Sequence, residues 1–174
     1  MENRRDQNFE IWLLTLFALI FVPSFFFVWI PHRILIKTGW AYSFDIGVLR
    51  FIGWLPMVLG QVIVIWCVLS FAIIGKGTPS PLIPPKKLVV RGLYRFVRNP
   101  MYLGWLLVLA GEVIVFQSIP LAKYFLGTFA FFYFFILFFE EPNLSHKFGE
   151  SYEAYRKSVR RWIPRLKPYQ PINH

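Results

Sequence analysis

Apolar residues gather in four long runs that are separated by short polar or basic segments. The runs cover residues 9–30, 47–74, 101–117 and 121–139. A helix of about 20 apolar residues crosses the roughly 30 Å hydrocarbon core of a membrane. The pattern therefore predicts an all-α polytopic membrane protein with about four transmembrane helices.

The connections between these runs predict the rest of the fold. Only Ser118, Ile119 and Pro120 separate the third and fourth runs, which favours a tight antiparallel helical hairpin. Segment 75–87 contains four prolines and is expected to be extended and polyproline-like. Beyond the fourth run, apolar side chains recur at steps of three or four, which predicts an amphipathic interfacial helix on the membrane surface. These side chains are Leu144, Phe148, Tyr152, Tyr155, Val159 and Trp162.

Composition supports membrane residence. Of the 174 residues, 56% are hydrophobic, and the mean hydropathy is +0.50. A soluble domain of this length could not bury several apolar runs in one core. We therefore expect residues 1–174 to form a single integral-membrane domain. With one cysteine, Cys67, and three scattered histidines, the sequence predicts neither a disulfide nor a metal site.

The net charge of +10 arises from Lys and Arg residues that gather at the ends of the apolar runs. This arrangement favours anionic lipid headgroups as partners and argues against nucleic acid. Fifteen basic residues fall on one side of the predicted membrane and four on the other. By the positive-inside rule, both termini and segment 75–99 are expected to be cytoplasmic. The first run resembles a retained anchor, and the bias favours a prokaryotic plasma membrane.

Candidate chemistry lies in segment 91–104, RGLYRFVRNPMYLG, and in the pair Glu140 and Glu141. Tyr102 lies 18 residues before Pro120, and Glu140 lies 20 residues after it. At a helical rise of about 1.5 Å per residue, Tyr102 and Glu140 should lie within about 3 Å of the same depth. Two adjacent carboxylates at a helix end require nearby cations or hydrogen-bond donors, because like charges disfavour joint ionisation.

Asn99 and Pro100 have a plain structural interpretation. Asn is a favoured N-cap and Pro is favoured at the first helical position, so the two residues should start the third helix. The free amides of such a helix end attract a carboxylate or a phosphate. Arg98 is a candidate for balancing the charge of a bound group.

The motif RNPMYLG, followed by the Glu pair, resembles the Arg-His-Pro-x-Tyr-x-Gly to Glu-Glu signature of the integral-membrane methyltransferases. This superfamily includes the isoprenylcysteine carboxyl methyltransferases and the phospholipid N-methyltransferases. The flanking sequences KLVVRGLY before the motif and Phe148, Gly149, Tyr152 and Tyr155 after it are also similar. The resemblance covers residues 75–164 and marks them as a methyltransferase-like core.

The resemblance implies a membrane enzyme that binds S-adenosylmethionine at the cytoplasmic end of the helices and methylates a lipid-like or membrane-partitioning molecule. Our candidate catalytic residues are Arg98, Glu140 and Glu141: Arg98 could balance the charge of the acceptor or the cofactor, and either glutamate could assist proton removal. The implied cofactor contacts are Leu88, Val89, Val90, Tyr94, Asn99, Pro100, Met101, Tyr102, Glu140 and Glu141. No G-x-G-x-x-G motif supports a Rossmann-type cofactor site.

Two positions depart from the family pattern. Asn99 replaces the family histidine and cannot transfer protons near neutral pH. Ile136 replaces an arginine of the prenylcysteine enzymes, which argues against a prenylcysteine acceptor. Methylation on oxygen, nitrogen or sulfur remains open. Two rival functions are an NADPH-dependent membrane reductase with a sterol-reductase-like core and a non-catalytic scaffold that binds lipid.

Glu112 is an acid within the third predicted helix, where ionisable residues are rare. It lies ten residues beyond Tyr102, about 15 Å farther along the helix. We therefore expect it to pair with Lys123 or Arg50 near the outer surface and not to join the Tyr102 site.

Overall fold

The computed structural model describes residues 23–40, 43–74, 88 and 90–170, and these ranges contain helices and connecting segments but no β-strand. The predicted polyproline segment 75–87 lies outside them. The elements in chain order are a π-helical turn (Phe25–Trp29), α1 (Ile30–Lys37), a 3-10 turn (Gly47–Gly53), α2 (Trp54–Ile74), a 3-10 turn (Gly92–Arg95), α3 (Pro100–Phe116), α4 (Ile119–Phe135), a π-helical turn (Ile136–Glu140), α5 (Glu141–Phe148) and α6 (Glu150–Ser158).

Two helical stretches are long and apolar enough to cross a membrane, Gly47–Ser70 with 24 residues and Ile119–Phe148 with 30. In the most apolar 18 residues of each stretch, only 22% and 11% are buried. Most of their surface therefore faces outward, as expected for helices in contact with lipid. Helix α3 is apolar but shorter, with 17 residues. The second and fourth predicted runs therefore coincide with candidate spans. The first, 9–30, lies largely outside the described residues.

Four glycines allow α3 to pack closely against α2 and against the 3-10 turn that precedes α2. Gly53 and Gly60 are seven residues apart on one side of the contact, and Gly104 and Gly111 are seven apart on the other. A Cβ added at Gly104 would lie 2.8 Å from Val64 Cγ2 and 2.9 Å from the Gly60 carbonyl oxygen. Small residues at such positions let helix backbones approach within a membrane, where dispersion contacts contribute to association.

The connection between α3 and α4 consists of Gln117 and Ser118. Gln117 adopts a left-handed conformation, with φ of +50°, and ends α3. The Ser118 hydroxyl accepts a hydrogen bond from the Leu121 amide and caps α4. Ile119 and Pro120, predicted to belong to the turn, are already helical, because proline is favoured in a first turn. The Gln117 side chain also accepts a hydrogen bond from the Ile46 amide at 2.7 Å, which fastens this connection to the segment before α2.

The predicted amphipathic helix on the membrane surface requires correction. Gly149, with φ of +52°, separates α5 from α6, and α6 ends at Ser158. Tyr152, Tyr155 and Val159 pack with Val90 in a buried cluster instead of facing lipid. Periodicity predicted the apolar face correctly, but it does not distinguish lipid from protein as the partner of that face.

We predict that Gly104→Val destabilises the protein by about 1–3 kcal/mol, because the added carbons overpack the contact between α2 and α3. Gly127→Val is the matched control, since a Cβ at Gly127 on α4 meets no atom within 4 Å. The thermal unfolding midpoint in detergent should fall for Gly104→Val and change much less for Gly127→Val. Equal midpoints for the two variants would contradict this packing.

Candidate active site

The candidate site lies at one end of the helices, where α3 begins and α4 continues into α5; we call this end the mouth. Helix α3 starts at Pro100 with Asn99 in the N-cap position, as predicted. The Asn99 side chain, however, makes no capping hydrogen bond. Its amide donates instead to the Arg161 carbonyl oxygen at 3.4 Å. Without a side-chain cap, the first amides of α3 could receive an acidic group.

Tyr102 and Glu140 meet at the mouth, as their predicted depths require. The Tyr102 hydroxyl donates a hydrogen bond to Glu140 Oε2 at 2.7 Å. The Tyr102 ring packs edge-on against Phe132 of α4, with ring centroids 4.8 Å apart. Glu140 ends the π-helical turn Ile136–Glu140. Such turns occur frequently at functional sites, because one extra residue changes the direction of the side chains that follow.

Glu141 has a different environment from its neighbour Glu140. It is 5% exposed. Its Oε1 forms ion pairs with Arg98 Nη1 at 2.9 Å and Arg161 Nε at 2.8 Å. Arg161 Nη2 also donates to Glu141 Oε2 at 2.9 Å, and these hydrogen bonds raise the pKa of the Arg161 guanidinium. Successive helical residues point about 100° apart, so one carboxylate can face α3 while the next faces the arginines.

Backbone hydrogen bonds hold the segment after α6 against the residues that precede α3. The Arg98 amide donates to the Arg160 carbonyl oxygen, and the Arg165 amide donates to that of Phe96, both at 2.9 Å. Arg161 therefore reaches Glu141 from a backbone that is itself fixed. The Arg161 guanidinium also lies over the Tyr133 ring, 5.6 Å from its centroid.

Tyr94 is a half-buried aromatic residue beside the site. Burial, followed by the nearby Cys67, Glu140 and Tyr155 groups, raises the pKa of the Tyr94 phenol well above its usual value. The Tyr155 hydroxyl donates to the Tyr94 carbonyl oxygen at 2.7 Å, and burial also raises the pKa of Tyr155. Both phenols therefore stay neutral at physiological pH and can act as hydrogen-bond donors but not as bases.

The remaining predicted cofactor contacts occupy varied positions. Met101 and Pro100 lie in the first turn of α3, with Pro100 buried. Val90 is buried in the cluster beneath α6, and Leu88 packs against that cluster. Val89 lies outside the described residues. The mouth thus brings together Tyr94, Asn99 to Tyr102 and Glu140, while Leu88 and Val90 support α6.

Arg161 and Tyr133 were not among the predicted site residues. The burial of Glu141 required a cation, but the sequence offered several arginines at similar predicted depth. The course of the backbone after Ser158 determines that Arg161 is the one that reaches Glu141. The spacing of apolar residues in the sequence does not predict this course.

Glu112 is buried in α3, and its Oε2 has no hydrogen-bond partner among the described residues. Its predicted pairing with Lys123 or Arg50 stays a prediction. Of the three histidines, His32 packs edge-on against Trp40, His146 lies in the last turn of α5, and His174 lies outside the described residues. Within the described ranges, no three His, Cys, Asp or Glu residues could jointly hold a metal ion.

Comparison with known families supports the resemblance inferred from the sequence. A family described as phospholipid methyltransferase matches residues 48–151, more than half of the chain. This family is part of the integral-membrane methyltransferase group, so the resemblance inferred from RNPMYLG and the Glu pair is confirmed. The matched range contains Tyr102, Glu140 and Glu141 but ends before Arg161. No curated protein and no solved structure matches the chain.

We predict that Glu141→Gln destabilises the protein by about 3–5 kcal/mol, because it leaves the Arg98 and Arg161 side chains, which are only 10% and 20% exposed, without their counter-charge. Glu153→Gln is the matched control: Glu153 pairs with the more exposed Arg156, and exposed ion pairs contribute only about 0–1 kcal/mol. Thermal unfolding measures the loss of stability, and tryptic cleavage after Arg160 or Arg161 measures release of the segment that follows α6. Faster cleavage in Glu141→Gln alone is expected; equal cleavage in both variants would show that Glu141 does not hold this segment.

Proposed function

We infer that this chain, which belongs to the phospholipid methyltransferase family, transfers a methyl group from S-adenosylmethionine to a lipid or another membrane-partitioning molecule at the mouth. Family membership indicates a membrane methyltransferase. The observation that carries the site assignment is the hydrogen bond between Tyr102 and Glu140 beside the uncapped start of α3. These groups lie at one depth, within reach of a single small ligand.

The residues at the mouth fit the chemistry of the methyl donor. S-Adenosylmethionine, when bound, supplies a methyl group on a positively charged sulfur, together with an ammonium, a carboxylate and an adenine. Glu140 can balance a cation, the first amides of α3 can hold a carboxylate, and Tyr94 and Tyr102 can cover an aromatic base. Glu141 is engaged by two arginines, which leaves Glu140 as the acid for the ligand.

Methyl transfer is an in-line displacement, so alignment of donor and acceptor in a water-poor site provides most of the acceleration. We assign Glu140 to the reacting side, as an electrostatic partner or as the acceptor of a proton. The ion pair between Arg98 and Glu141 fixes the segment before α3 against the start of α5. Asn99 orients the chain through the Arg161 carbonyl oxygen and cannot serve as a base.

The proposed topology places the mouth in the cytoplasm. Four spans, with both termini cytoplasmic, satisfy the positive-inside rule, and a prokaryotic plasma membrane fits the same bias. The acceptor then enters sideways from the inner leaflet. Family membership lends no support to the reductase or the scaffold.

Cofactor binding tests this proposal most simply. Calorimetry on the purified protein in detergent should show binding of S-adenosylmethionine and its demethylated product but not of NADPH. Glu140→Gln should weaken that binding about tenfold or more, because a hydrogen bond to a charged group contributes about 1.5–3 kcal/mol. Tyr102→Phe should weaken it less.

The matched control for this titration is Glu150→Gln, which changes an exposed acid on α6. It should bind S-adenosylmethionine like the wild type. If the wild type binds neither S-adenosylmethionine nor its product, the methyltransferase proposal is wrong. If Glu140→Gln binds normally, the activity stands but the site lies elsewhere.

Lipid extracts reveal the acceptor. A deletion strain should lack a lipid species that is one CH2 group heavier than a species it accumulates, as measured by mass spectrometry. The wild-type gene should restore the heavier species, and the Glu140→Gln gene should restore little of it. Restoration by Glu140→Gln at the wild-type level would remove Glu140 from the reaction.

A further inference from the structure

Two apolar side chains project from the segment after α6 without protein contact to bury them. Leu166 is 99% exposed and Ile163 is 60% exposed. The backbone around them is fixed, since Arg98, Arg165 and Tyr169 amides form hydrogen bonds between this segment and residues 95–98. The exposure of the two side chains is therefore built into the folded chain. We call residues 160–169 the tail segment.

The tail segment lies against the lipid-facing side of α4. Trp162 packs on Phe129, with ring centroids 5.6 Å apart, and Arg161 lies over Tyr133. Phe129 precedes Glu140 by eleven residues, about 16 Å along the helix. Because α4 belongs to a candidate membrane span, the contact with Phe129 places Trp162, and Ile163 after it, beside the hydrocarbon and not in the aqueous space beyond the mouth.

The charges around these side chains are positive. Lys157, Arg160 and Lys167, which lie within six residues of Ile163 in the sequence, are exposed. The nearby acid Glu153 is paired with Arg156. Long basic side chains can extend from a segment beside the hydrocarbon to anionic headgroups at the membrane surface.

We propose that the tail segment is the membrane-inserted edge of the mouth: Ile163 and Leu166 enter the hydrocarbon of the adjacent leaflet, and Lys157, Arg160 and Lys167 bind anionic phospholipid headgroups. The sequence predicted that an amphipathic helix contacts the membrane surface. We instead assign this contact to the irregular segment that follows α6. The occupant of this surface is a lipid leaflet. The inference requires membrane residence but not methyl transfer.

Site-directed spin labelling of the full chain tests the insertion. Ile163→Cys and Leu166→Cys each receive a nitroxide in nanodiscs of phosphatidylcholine and phosphatidylglycerol. Native Cys67 is buried, and Cys67→Ala replaces it if the wild type takes up label. The ratio of collisions with oxygen to collisions with a water-soluble nickel chelate should be several-fold higher at 163 and 166 than at the control Ser151→Cys, an exposed site on α6.

Each outcome decides the proposal. Nickel accessibility at 166 equal to that at 151 would place the tail segment in water and overturn it. Spin-spin broadening between labels would show a second copy covering the surface and would also overturn it. Removal of phosphatidylglycerol, or the double change Arg160→Gln and Lys167→Gln, should lower the collision ratio at 166. No change in either case would refute the anionic-lipid contact.

Discussion

The buried carboxylate of Glu141 joins three parts of the chain that are distant in sequence. It lies at the junction of α4 and α5, and it pairs with Arg98 just before α3 and with Arg161 beyond α6. A buried acid requires such compensation, because an unpaired charge in a low-dielectric site costs several kcal/mol. The start of α3, the end of α4 and the tail segment consequently have fixed positions relative to one another.

This arrangement separates the roles of two adjacent glutamates. Glu141 already has two cationic partners. Within the described part of the chain, the Glu140 carboxylate accepts a hydrogen bond only from the Tyr102 hydroxyl. The π-helical turn before the pair and the 100° step between neighbours give the two side chains different surroundings. The mouth thus combines a rigid wall with one acid that can meet a ligand.

Sequence reasoning predicted the features that depend on local chemistry or on helical rise. The start of α3 at Pro100, the common depth of Tyr102 and Glu140, and the family resemblance all follow from residue types and spacing. The pairing of Glu141 with Arg161 could not be predicted in this way, because it depends on the path of an irregular segment. The prediction that the apolar face of α6 contacts lipid was wrong for another reason. Apolar periodicity identifies the apolar face of a helix but not the partner that covers it.

The close contact of α2 and α3 is similarly visible only in three dimensions. Gly53, Gly60, Gly104 and Gly111 share a spacing of seven, but the sequence does not state that they face each other. Their contact brings α2 beside the helix whose first turn lines the mouth. Helix α3 therefore contributes both to the packing of the helices and, through its first turn, to the proposed active site.

A structure of the protein in nanodiscs with the demethylated product of S-adenosylmethionine tests the proposed site most directly. The proposal predicts density for the product beside Tyr102 and Glu140, with its ammonium near Glu140 and its carboxylate at the first amides of α3. Glu141 should keep both arginine contacts. Density at another position, or product bound through Glu141 with Arg98 and Arg161 displaced, would contradict it.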